Sequence, residues 1–132
     1  MKIKTFEDLD TWKICREIRQ KLSILVKKFP QEERYRLADQ ILRAARSVTA
    51  NLAEGYGRFY YQENIQFCRQ SRGSLYELLD HLIVALDDEL ITKEQFVDYR
   101  MDILKAVTVV NGYIRYLNGA KTRNNSGGAV YE

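Results

Sequence analysis

Eight cations are the residues best equipped for chemistry: Lys13, Arg16, Arg19, Arg43, Arg46, Arg58, Arg69 and Arg72. Ammonium and guanidinium groups of this kind hold phosphates. Around Arg58, Arg69 and Arg72 stand Tyr56, Phe59, Tyr60 and Tyr61, whose rings offer stacking surfaces for bases. A tyrosine-rich helix junction of this type equally serves packing or an oligomer interface. The cations belong to an uneven charge pattern. Residues 1 to 72 carry 15 Lys and Arg against 9 Asp and Glu, whereas residues 73 to 132 carry 6 against 9. The acidic excess lies between Glu77 and Asp102. Such asymmetry suits a basic face for nucleic acid, or complementary faces that solubilise the protein or meet in an oligomer. A net charge of +3 and a pI near 8.8 are modest for a nucleic-acid binder.

Other chemistries fare poorly. His81 is the only histidine, so two-histidine metal sites are excluded and a histidine triad has one possible member. A histidine on a charged helix face is ordinarily solvated. Cys15 and Cys68 are too few for a disulfide framework and read as buried thiols in a reducing, cytoplasmic setting. Asp87, Asp88 and Glu89 are adjacent, so on a helix their carboxylates diverge and hold no metal. The pair Gly55 and Gly57 imitates the start of a dinucleotide fingerprint but follows a helix, not a strand. We expect no catalytic residue, no cofactor and no enzyme activity. No apolar run reaches the length of a membrane span and no signal peptide is evident, so no membrane partner is expected.

A second feature lies on one helix. Gln40, Arg43, Ser47, Asn51, Glu54 and Arg58 recur at steps of three and four, beside an apolar face and not opposite it. Gln40, Ser47, Asn51 and Glu54 mark a polar seam, within the fold or between subunits. The alternative is an amphipathic boundary where long side chains snorkel. Ala44 and Gly55 lie between the stripes and permit close helix approach.

Four amphipathic segments must position these residues. The first begins near Thr5 or Asp8 as N-cap and buries Leu9, Trp12, Cys15, Ile18, Leu22, Leu25 and Phe29, ending at Pro30. The second runs from about Glu33 to Glu54, with Leu37, Ile41, Ala44, Ala45, Val48 and Leu52 inward, and ends at Gly55 and Gly57. The third starts near Tyr61 and uses Ile65, Cys68, Leu75, Leu79, Leu82 and Leu86. Gly73 inside it suggests close approach by a neighbour. The fourth opens on the Thr92–Gln95 capping box and buries Phe96, Tyr99, Ile103, Val107, Val110, Ile114 and Leu117. Its β-branched run Val107–Val110 is the weakest helical stretch. Short connections predict an all-α, antiparallel up-down-up-down four-helix bundle over 1–118, followed by a flexible tail over 119–132.

Several stretches also resemble a known family. Phe6-Glu7-Asp8-Leu9 with Trp12, then Gln40 to Ala45 with Ser47, then Asn51 to Gly55 with Arg58, and Gly73-Ser74-Leu75 with Glu77, resemble the 23S ribosomal RNA intervening-sequence four-helix-bundle proteins. The resemblance spans about residues 5 to 117. It implies a bacterial protein similar in fold to the accessory variability determinant of diversity-generating retroelements. Also implied are a homopentamer, a basic surface for RNA or DNA, and a role beside a reverse transcriptase. The competing expectation is a protein-interaction scaffold whose acidic region meets a basic partner such as that enzyme.

Overall fold

In the computed structural model, which describes residues 2–33 and 36–123, four helices carry the chain. They are α1 (Asp10–Val26), α2 (Leu37–Gly57), α3 (Tyr61–Asp87) and α4 (Lys93–Arg123). Contacts between helices give their directions. Ser47 of α2 meets Ser74 of α3, the Val48 carbonyl meets Ser71, and Gly55 faces Asn64, so numbers rise on one helix as they fall on the other. The same inverse order joins α3 to α4, where Gln62 accepts from Lys121 and Arg72 donates to Asn111. Helix α1 closes the ring against α2 and α4. Trp12 shares a groove with Ala53 while Val26 shares another with Ala38, and Lys21 pairs with Asp102. The fold is all-α, an up-down-up-down four-helix bundle.

Apolar periodicity accounts for the core. Every inward residue expected on α2 is buried, as are Cys15, Ile18, Leu22, Leu25 and Phe29 before it. On α3, Leu78 and Ala85 are fully buried, while Leu79 and Leu86 are only half-buried at its edge. The run Val107–Val110 is helical because Val107 and Val110 bury their side chains, and burial outweighs strand propensity. Both thiols lie in this core, and burial pushes each up to about 12.

Helix ends depart from expectation in instructive ways. Thr5 caps a 3-10 turn over Phe6–Asp8, and α1 itself starts at Asp10 with Leu9 as N-cap. Gly55 and Gly57 do not stop α2: both are helical, and the left-handed residue after the helix is Phe59, at φ 68°. Helix α3 ends in a Schellman motif. The Leu90 amide donates to the Ala85 carbonyl at 2.8 Å, and Glu89 takes the left-handed position at φ 60°. Thr92 and Gln95 exchange their capping hydrogen bonds at 2.8 and 3.1 Å. Helix α4 runs on through Gly119 to Arg123, because Ala120 is buried and holds the extra turn to the bundle. The expected tail therefore starts too early, and its remainder, 124–132, lies outside the described residues.

Close approach occurs at a different glycine from the one anticipated. A Cβ on Gly73 would meet nothing within 4 Å, since this glycine is on the exposed side of α3. At Gly55 a Cβ would sit 2.6 Å from Asn64 Oδ1 and 2.8 Å from the Phe67 Cβ. The two positions should respond oppositely to alanine in denaturant unfolding. Gly55→Ala is expected to destabilise by roughly 1–3 kcal/mol through overpacking. Gly73→Ala should stabilise by about 0.5–1 kcal/mol through lower backbone entropy in the unfolded chain.

Candidate nucleic-acid interface

The N-terminal turn builds one wall of the site. The Asp8 carboxylate accepts from the Lys4 and Thr5 amides at 2.9 and 3.2 Å, and the Thr5 hydroxyl accepts from the Glu7 amide at 3.1 Å. Those two amide bonds to Asp8 hold its carboxyl below the ordinary carboxylate value. The turn sets Phe6 edge-on to Trp12, with ring centroids 5.2 Å apart at 70°. One helical turn beyond Trp12, the Arg16 guanidinium lies over the indole, 5.6 Å from its centroid. An exposed cation–π contact is worth about 0.5–1 kcal/mol, so Arg16 is readily displaced.

Helix α2 supplies the other wall. Arg19 reaches across and donates to the Thr49 hydroxyl at 2.8 Å, and that hydroxyl donates to the Arg46 carbonyl at 3.3 Å. Thr49 is buried, so the bridge is sheltered from water. Between the walls runs a shallow groove of about 260 Å³, lined by Phe6, Trp12, Arg19, Arg46, Thr49, Ala50 and Ala53. Among the described residues, no carboxylate pairs with Arg16, Arg19 or Arg46. Their charge is available to a ligand.

The remaining sequence-selected cations lie elsewhere or are engaged. Lys13 is exposed on α1, and Arg43 pairs with Asp39 at 2.9 Å. At the α2–α3 turn, Arg58 pairs with Glu54 at 2.9 Å and Glu63 at 3.5 Å while covering the Phe67 ring. Arg72 donates to Asn111 on α4 at 2.6 Å, and Arg69 is exposed on α3. The eight cations are thus spread over α1, α2, the α2–α3 turn and α3, and of these Arg19 and Arg46 share the groove lining while Arg16 lies over its Trp12. Sequence reasoning missed Phe6, Trp12 and Thr49 as site residues. The i, i+4 spacing of Trp12 and Arg16 was the available signal.

The polar stripe on α2 divides. Ser47 hydrogen-bonds Ser74 at 2.9 Å, and Asn51 donates to the Ser47 hydroxyl at 3.0 Å, forming a seam inside the bundle. Gln40 and Glu54 face solvent. Tyr56 and Tyr61 line a separate pocket of about 150 Å³ with Tyr113 and Tyr116 at one end of the bundle. His81 pairs with Glu77 at 3.1 Å on the surface of α3. Among the described residues no three metal-ligating side chains gather, and no helix is long and apolar enough to cross a membrane.

The model of one family, the 23S rRNA-intervening sequence proteins, matches residues 7–112. The chain belongs to this family. The match takes in α1, α2 and α3 whole and α4 as far as Gly112, so the groove of this 23S rRNA-intervening sequence protein falls almost entirely within it. No curated protein matches the chain closely enough to serve as a relative.

Trp12 is the only tryptophan, so its emission reports on this groove directly. Asp8→Ala should unpin Phe6 and shift that emission while the bundle stays helical by circular dichroism. The pH dependence has a definite sign. The folded-state carboxyl of Asp8 titrates below the reference 3.8, so its contribution is complete above that value and lost as pH falls through the depressed one. Wild-type emission should therefore hold to lower pH than an ordinary carboxylate allows, and Asp8→Ala should lack the transition.

Proposed function

We propose that this 23S rRNA-intervening sequence protein is a non-enzymatic, self-associating bundle that binds RNA or DNA through its α1–α2 face. The reading is carried by the convergence of Arg16, Arg19 and Arg46 without paired carboxylates. Unneutralised guanidiniums attract phosphate, and each phosphate contact releases condensed counterions. Arg58 has its charge satisfied by Glu54 and Glu63 and takes a structural part at its turn.

Self-association is supported by a second face. Tyr76 and Ile83 of α3, with Val97 and Met101 of α4, are exposed apolar side chains on the two adjacent helices away from the groove. In an assembly these exposed side chains would be buried against another copy, the use to which grouped apolar surface is put. Assembly as a homopentamer would place several grooves on one particle and add avidity to weak individual contacts.

Two measurements test this. In filter binding across a salt series, Arg19→Ala and Arg46→Ala should each weaken binding and reduce the salt slope by about one, whereas Arg58→Ala leaves the slope unchanged. Unchanged slopes for both groove variants would refute the assignment. Light scattering at several concentrations should give a mass well above two chains, and a mass of one or two chains throughout would refute the ring.

A further inference from the structure

The groove differs from a plain basic patch because one cation covers an aromatic ring and two more share the lining with that ring. Arg16 lies over Trp12 on an exposed, movable stem, while Arg19 is fixed through Thr49 beside Arg46 on the opposite wall. The small side chains of Ala50 and Ala53 leave a flat floor between them. We infer that this groove takes a single-stranded stretch of RNA or DNA, with one unpaired base on Trp12 and the flanking phosphates on Arg19 and Arg46. This rests on the nucleic-acid reading above and narrows it to one class of ligand.

Three observations separate single strands from duplexes. First, in a duplex the base faces are covered by their neighbours, so only an unpaired base can use the indole. Second, duplex binding without sequence reading draws on many phosphates across a broad basic surface. Here the net charge is +3, and the cations beyond the groove are scattered or paired, as Arg43 and Arg58 are. Third, the shallow groove presents one indole, Trp12, with Arg19 and Arg46 in the same lining, so it offers a single stacking position flanked by cations and not an extended basic track. On binding, the base replaces Arg16 over the indole and the freed guanidinium turns to the adjoining phosphate.

The experiment uses the full chain with labelled oligouridylate and oligodeoxythymidylate about ten nucleotides long, and a duplex of equal length. Label anisotropy reports binding anywhere on the protein, and Trp12 emission reports occupancy of the groove. Both single strands should quench Trp12 and bind at least about tenfold more tightly than the duplex at equal salt. Three phosphate contacts on a single strand predict a slope of log affinity against log salt of about −2. Arg46→Ala should lower affinity, slope and quenching together, and Trp12→Phe, which keeps an aromatic face, should retain binding where Trp12→Ala loses it. Equal or tighter duplex binding overturns the inference. So does single-strand binding without quenching and without response to Arg46→Ala, although nucleic-acid binding then stands at another surface. Failure of every strand to bind at low salt removes both readings. Quenching by polyglutamate matching that of the oligonucleotides would assign the groove to an acidic protein segment instead.

Discussion

The bundle is organised by the contact of α2 and α3 at Gly55, where a single methyl group has no room. A Cβ there would collide with Asn64 and Phe67, and Asn64 is itself fully buried and hydrogen-bonded to Tyr113 of α4 at 3.1 Å. The contact continues along the helices through the Ser47–Ser74 pair and the bond from Ser71 to the Val48 carbonyl. These polar groups are satisfied across the interface, which fixes the register of α2 against α3. With one side of α2 set in this way, the opposite side carries Arg46, Thr49, Ala50 and Ala53 toward α1. The groove's geometry is a consequence of that packing.

Charge is sorted by pairing more than by count. Two arginines of α2 illustrate the point. Arg43 and Arg58 each face a carboxylate one helical turn away, at Asp39 and Glu54, and present little net field. Arg46, between them in sequence, points to the α1 side, where its neighbours are arginine and aromatic. A modest net charge is therefore compatible with a local cluster of arginines that no carboxylate pairs directly.

Much of the fold was legible in the sequence, since three-and-four spacing of apolar residues specifies both helix and buried face. Its limits follow from physics. Gly73 and Gly55 look alike in a helical pattern, and only the arrangement of neighbouring helices decides which one is crowded. Phe59 occupies a left-handed position that sequence would assign to glycine, so the expected end of α2 falls a few residues early. Trp12 sits in the apolar stripe and was read as core, yet it is only partly buried because the stripe reaches the groove there. The eight cations stand out by type as candidate phosphate contacts. Their pairing depends on residues across a turn or on another helix, and that information is absent from the spacing within one helix. The resemblance to the intervening-sequence proteins agrees with the family match over residues 7–112, and both speak to fold more than to ligand.

The central claim is that nucleic acid lies against Trp12 between Arg19 and Arg46. Photocrosslinking tests it most directly, with a single strand carrying 5-iodouridine, followed by peptide mapping of the attached residue. Stacked aromatic rings are the preferred partners of the excited base. The account predicts attachment at Trp12 or Phe6. Attachment confined to the tyrosines of α3 and α4, with Trp12 unmodified, would contradict it.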